Sequence, residues 1–398
     1  MTQAVFSPRA VSWHHGTGVQ LRYLMDLYPD KYLAFNYAFF EKGVGDPAIS
    51  LESLHIRYWP FKMRGRGFIS RCNRFMPLRH WSDDELTDRG AIFLQSKLPS
   101  LALDSLSVVV VHDERCARRF NSIYHHLRIP YALVLYDWMH VHGACREAFP
   151  HLTKCLEGAE QIYAISPALQ RLARQLVGPS NGRPVDRIGF YRPRPDPQSL
   201  RCNTLERPGE LKIFILADAK EGPFRELVQA LQQLIGDYQS RAASVHFVGN
   251  ARQLVDLPEC QSSQRLRFHF HGVVSAYDRD RIAARCDLAF LAGPAADPIV
   301  CPLSKYSLPS KLGDFAVLGL PVIARIASGS AADEVIRDEM SEFVIPVLNH
   351  SEIGQVLDRV LTSKISLMNM RKAALRFAES HVLLPEAMLS LPLFNAFR

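Results

Sequence analysis

The stretch Pro309–Ala324, PSKLGDFAVLGLPVIA, decides the reading of this chain. Ser310 is a helix N-cap residue type, and an amphipathic run follows from Lys311 to about Leu318. Gly319 suits a left-handed cap position, and Pro321 forbids continuation of the helix. Val322, Ile323 and Ala324 then read as a buried strand. A helix followed directly by an apolar strand is half of a parallel α/β unit. The helix start also carries chemistry. Free N–H groups and the positive end of the dipole favour an anion there, and Ser310 and Lys311 add a hydroxyl and an ammonium. Asp314 lies three residues after Lys311, on the same face. A carboxylate beside an anion site is costly unless it binds something else, such as ribose hydroxyls. A capped surface helix with a solvated Lys–Asp pair explains the same residues equally well.

The pattern extends outward in both directions. Strand-like runs LKIFILAD (211–218), ASVHFVGN (243–250), RLRFHFHG (265–272) and DLAFLAG (287–293) alternate with helical runs. The first half repeats this theme. SLSVVVVHDE (105–114), IPYALVLYDW (129–138) and AEQIYAISP (159–167) read as buried strands. SPALQRLARQL (166–176) reads as a helix capped by Ser166 with Pro167 in its first turn. The Pro-rich polar run 192–210 reads as a linker. We therefore expect an α/β protein of two doubly wound domains, 1–200 and 201–380, and a tail 381–398. Two such domains imply a central cleft, with ligands beyond the carboxyl ends of the strands.

Composition sets outer limits. The 398 residues are 47% hydrophobic and 22% charged, as in ordinary globular proteins. No apolar run is long enough to span a membrane, and the N-terminus carries no signal-peptide core. The eight cysteines form no C-x-x-C pair, which fits free thiols in a reducing cytosol. A formal charge of +7 favours anionic partners without choosing among them. His269 and His271, at i and i+2, share one sheet face; hydrogen-bonded roles fit them better than a metal, since no third ligand is evident. The basic run 61–75 matches no RNA-binding motif, so no nucleic-acid partner is expected.

With these residues in view, PSKLGDFAVLGLPVIA resembles the donor-site helix and following strand of retaining GT-B glycosyltransferases of the family-4 type. Members often show P-[SN]-K-hydrophobic-x-E-[YF]-x-A-x-G-x-P-V-I there. LKIFILADAKEGPFRELVQALQQL, RLRFHFHGVVSAYDRDRIAARCDLAFLAG and GSAADEVIRD are similar to further segments of that domain. The resemblance implies a GT-B fold and a nucleotide-sugar substrate, with no other cofactor. It assigns ribose contact to Asp314, and phosphate contact to Ser310, Lys311, Leu312 and Lys220. Gly16 and Gly18, in WHHGTGVQLRYL, resemble the glycine loop that faces the donor diphosphate. Asp137 and His140, after the strand 129–138, and His112, in VVVHDE, are the candidates for contact with the reacting sugar. The chain departs from the pattern at three places. Asp314 stands where Glu is common, Tyr306 where a second acidic residue is usual, and Ala217 and Asp218 where an arginine is frequent.

The expectation is a retaining transferase with no metal site, since no D-x-D motif stands in a suitable context. It would act in the cytoplasm, with peripheral contact at the inner face of the membrane, on a glycan or lipid-linked acceptor of polysaccharide assembly. Two alternatives stay open. A nucleotide-sugar epimerase would use His112, Asp113 and Glu114 as acid and base. A catalytically degenerate nucleotide-sugar-binding subunit would explain Tyr306.

Overall fold

The computed structural model describes residues 3–7, 32–36, 59–60, 107–127, 130–136, 148–178, 183–189, 192, 194–200, 210–216, 221–237, 242–250, 263–293, 298–299, 301–362 and 365–383. The chain divides into two compact units, with the break between Ile188 and Gly189; the short run Tyr306–Leu308 groups with the first.

The first unit is built on β1 (Gln3–Ser7), β2 (Tyr32–Asn36), β3 (Trp59–Pro60), β4 (Ser107–Val111), α1 (Glu114–Leu127), β5 (Tyr131–Leu135), α2 (Pro150–Gly158), β6 (Gln161–Ala164), α3 (Pro167–Val177) and β7 (Val185–Arg187). Among the described residues its seven strands are all parallel, in the order β3-β2-β1-β4-β5-β6-β7. The VVVV and YALVL runs are buried throughout, as near-continuous apolar strands covered on both faces must be. Ser166 caps α3 as expected: its hydroxyl accepts the Leu169 N–H at 3.2 Å, and Pro167 sits in the first turn.

The second unit begins with α4 (Pro197–Leu200), β8 (Glu210–Leu216), α5 (Glu221–Asp237), β9 (Ala242–Val248), β10 (Leu266–Gly272), α6 (Ala276–Ala284) and β11 (Leu288–Ala292). It continues with α7 (Pro302–Tyr306), α8 (Lys311–Val317), β12 (Val322–Arg325), α9 (Ala331–Val335), a π turn (Ile336–Met340), β13 (Val344–Val347), α10 (His350–Leu361) and α11 (Leu367–His381). The sheet is parallel, in the order β10-β9-β8-β11-β12-β13. Ile213 and Ile215 point to one face, where Phe224, Leu227 and Leu231 of α5 and Ile353 and Leu357 of α10 cover them. Phe214, one residue out of phase, meets Phe315 of α8 edge-on, with ring centroids 6.2 Å apart.

Both sheets reverse direction of growth, between β1 and β4 and between β8 and β11. Such switch points open a crevice beyond the strand ends where ligands of doubly wound sheets bind. The alternation of strands and helices therefore agrees with the sequence reading. The strand β13 is an addition to it: VIPV is a strand although Pro346 lies within it. As β13 ends the sheet order, a missing proline N–H is tolerable on its open side.

Candidate functional site

The site is built around α8. Its end follows the sequence closely. Gly319 has φ +63°, the Leu320 N–H donates to the Phe315 carbonyl at 2.9 Å, and the Gly319 N–H donates to Ala316 at 3.0 Å. This is the Schellman arrangement. A Cβ at Gly319 would also lie 3.1 Å from the Leu375 side chain of α11, which packs against α8.

The start of α8 differs from expectation. Ser310 is itself in the right-handed helical region and its side chain caps nothing. The Leu312 N–H, expected to face phosphate, donates to the Pro309 carbonyl at 3.1 Å, and the Gly313 N–H donates to Ser310 at 3.1 Å. A tight three-residue turn thus consumes donors that a side-chain cap or an anion would otherwise take. Ser310 and Lys311 remain partly exposed, whereas Leu312 is fully buried.

Asp314 is buried, at 7% exposure, and is not a solvated partner of Lys311. Its Oδ1 lies 3.2 Å from Arg192 Nε and 3.8 Å from Arg279 Nη1. Arg192 Nη1 donates to the Asp314 main-chain carbonyl at 3.1 Å, and its Nη2 reaches Asp280 Oδ1. Arg279 Nε donates to the same Asp280 oxygen at 2.9 Å. Two guanidiniums and two carboxylates thus balance charge inside the unit, which makes their burial tolerable. Arg192 is only 2% exposed, although its Pro-rich surroundings read as a linker. Its backbone pairs with the far end of the chain, the Arg192 N–H donating to the Val382 carbonyl at 3.2 Å. No local pattern in YRPRPDP signals this burial; the partners lie on α6, on α8 and after α11.

In the first unit, β4 delivers His112, Asp113 and Glu114 at its carboxyl end. His112 is buried there, at 7% exposure. The two carboxylates that an epimerase would need are engaged with backbone. Asp113 Oδ1 accepts the Cys116 N–H at 2.6 Å and so caps α1. Glu114 accepts the His151 N–H at 2.6 Å and the Leu152 N–H at 3.1 Å, capping α2 from another element. Both carboxylates are thus committed to backbone donors at helix starts. Tyr136, after β5, is buried, and burial raises its phenol pKa. Tyr306 is likewise buried, with the same effect on its phenol.

His269 and His271 do share a face, and a third histidine joins them from β9. His246 Nδ1 and His271 Nε2 lie 3.2 Å apart, so one donates to the other, and His246 Nε2 lies 3.3 Å from Ser244 Oγ. The His246 and His269 rings stack at 4.6 Å. Burial, then His269 and His271, depress the His246 pKa from 6.5 to about 4, keeping it neutral. Among the described residues no group of three or more His, Cys, Asp or Glu is arranged to hold a metal. His246 and His271 are hydrogen-bonded, and His269 stacks on His246.

Asp137, His140, Lys220, Gly16 and Gly18 lie outside the described residues. By chain order Gly16 and Gly18 follow β1, Asp137 and His140 follow β5, and Lys220 follows β8. Lys311, Leu312 and Asp314 lie on α8, directly after Ser310, and His112 belongs to the other unit. Sequence reasoning missed Arg192, Arg279 and Asp280. Among the described residues no helix is long and apolar enough to cross a membrane.

No protein-family model matches the chain, and no curated protein matches it. Solved structures do. Anabaena HepE (Alr3699), solved with UDP and glucose, aligns over 96% of both chains with a TM-score of 0.58 at 14% identity. OtsA, a trehalose-6-phosphate synthase, aligns over 95% of both chains with a TM-score of 0.59 at 10% identity. The N-terminal domain of Candida albicans trehalose-6-phosphate phosphatase covers 96% of this chain and 93% of its own, with a TM-score of 0.57 at 10% identity. The chain shares its fold with GT-B glycosyltransferases: α/β, with two Rossmann-like parallel-sheet units.

Proposed function

We propose that this protein is a glycosyltransferase that moves a sugar from a nucleotide-sugar donor to an acceptor. The observation that carries the reading is the second unit. Its sheet has the order of a dinucleotide-binding fold, and the turn leading into α8 brings Ser310 and Lys311 together with a buried acidic residue, Asp314. The likeness to HepE, solved with UDP and glucose, supports a UDP-sugar as the first donor to try. Work on trehalose-6-phosphate synthase describes glycosyl transfer with retention, and we extend retention to this chain.

In this reading the second unit holds the donor. Lys220 and Lys311 offset the charge of the departing nucleoside diphosphate, and Ser310 adds a hydrogen bond to phosphate. Asp314 accepts from the ribose. The loop with Gly16 and Gly18 approaches the diphosphate, and His112, Asp137 and His140 face the reacting sugar. Transfer is retaining and metal-independent. The acceptor is a glycan or lipid-linked precursor of a polysaccharide, met in the cytoplasm at the inner face of the membrane.

Thermal unfolding with UDP, GDP, ADP and their sugar conjugates tests this. A donor at 100 times its dissociation constant adds about 2.7 kcal/mol of stability. A shift with one nucleotide, lost in Asp314→Ala, supports the donor site; no shift with any of them overturns it. A second reading, a nucleotide-sugar-binding subunit without transfer, draws on Tyr306 standing buried where relatives carry an acid. Binding without sugar transfer or donor hydrolysis would favour it. The epimerase reading is weakened by the capping roles of Asp113 and Glu114.

A further inference from the structure

Asp314 is held from one side only. The nearest approach of both guanidiniums is to Oδ1, which lies in ion-pair range of each yet is buried and, among the described residues, accepts no hydrogen bond. The side chain keeps 8% of its surface exposed. Arg192 grips the residue twice, through Nε at the carboxylate and through Nη1 at the main-chain carbonyl. The guanidinium thus hydrogen-bonds the helix backbone and places its charge against the carboxylate. Asp280 in turn holds Arg192 and Arg279 without touching Asp314 itself.

We propose that Arg192 is a positioning residue of the donor site: it hydrogen-bonds the Asp314 carbonyl and sets its charge beside the Asp314 carboxylate, so that this carboxylate is kept in place for a ribose hydroxyl. The inference rests on the donor-site reading above and deepens it. A buried ion cluster of purely architectural purpose would need no contact with the Asp314 carbonyl on the helix that carries the site.

The test compares UDP with 2′,3′-dideoxy-UDP by calorimetric titration of the full chain. A hydrogen bond to a charged acceptor is expected to favour the ribonucleotide by about tenfold or more in the wild type. Arg192→Lys keeps the charge and loses the fork. It should lower UDP affinity about tenfold and leave dideoxy-UDP affinity unchanged, so that the preference falls to within about twofold. Asp280→Asn perturbs the same cluster away from Asp314 and should retain the preference even where it lowers the melting temperature. If Arg192→Lys does not fold, Arg192→Gln is measured in its place. An unchanged preference in the Arg192 variant, or an equal loss in Asp280→Asn, overturns the inference and leaves the donor site standing. Failure of the wild type to bind UDP, GDP or ADP overturns the donor-site reading, and this inference with it.

Discussion

Two helices of the second unit begin alike in sequence and differently in space. α8 follows Ser310 and carries Asp314 in its first turn; α9 follows Ser330 and carries Asp333. At α9 the residues serve their own helix. Ser330 Oγ accepts the Asp333 N–H at 3.1 Å, and Asp333 Oδ2 accepts the Gly329 N–H at 2.9 Å. The helix start is saturated by its own side chains. At α8 the serine caps nothing, and the carboxylate turns to Arg192. A self-capped helix start has no side chain to spare for a ligand. The helix whose acidic residue is held by a distant cation is the one with side chains left for function.

Removing that cation breaks the contrast most sharply. Arg192→Met leaves two buried aspartates to Arg279 alone. It should destabilise the second unit by about 3–5 kcal/mol in urea unfolding, and adding Asp280→Asn and Asp314→Asn should recover part of the loss. Next comes the end of α8. Gly319→Ala forces a Cβ into a left-handed conformation and against Leu375, and about 2 kcal/mol should be lost in the same measurement.

The same unit also keeps one group neutral rather than paired. His246 has a folded-state pKa of about 4, below its ordinary 6.5. Between those values the unfolded chain binds more protons than the folded one. Stability should therefore be full above pH 6.5, fall as pH drops toward 4, and level off below. Partial exposure limits the effect to about 1–2 kcal/mol, and His246→Gln should flatten that part of the profile. The smallest effects compare the two caps directly. Ser330→Ala should cost about 1 kcal/mol, whereas Ser310→Ala should stay within about 0.5 kcal/mol, read as denaturation midpoints at constant slope. Equal costs at the two serines would erase the distinction between the helices.

Much of the fold was legible because its signals are local. Four apolar residues in a row at 108–111 make a buried strand in any parallel sheet, Ser166-Pro167 starts a helix, and Gly319 followed by Pro321 ends one. Each is decided by backbone dihedrals and nearest neighbours. The candidate site was legible only in part. Ser310 and Lys311 were found by their place before an amphipathic run, yet the same reasoning gave Ser310 a capping role that the tight turn at Pro309 removes. His112, Asp113 and Glu114 were rightly placed at a strand end. Their division of labour was not readable, because Glu114 caps a helix 37 residues further on.

The amino-acid sequence by itself determined that this chain alternates strands and helices in two parallel-sheet units, since hydrophobic period and turn chemistry act over a few residues. Only the tertiary structure decided what Asp314 does. Its partner Arg192 stands 122 residues away in a Pro-rich stretch that reads as a linker. Burying a carboxylate is a question of which cation the fold brings to it, and a long-range charge pair leaves no trace in local periodicity.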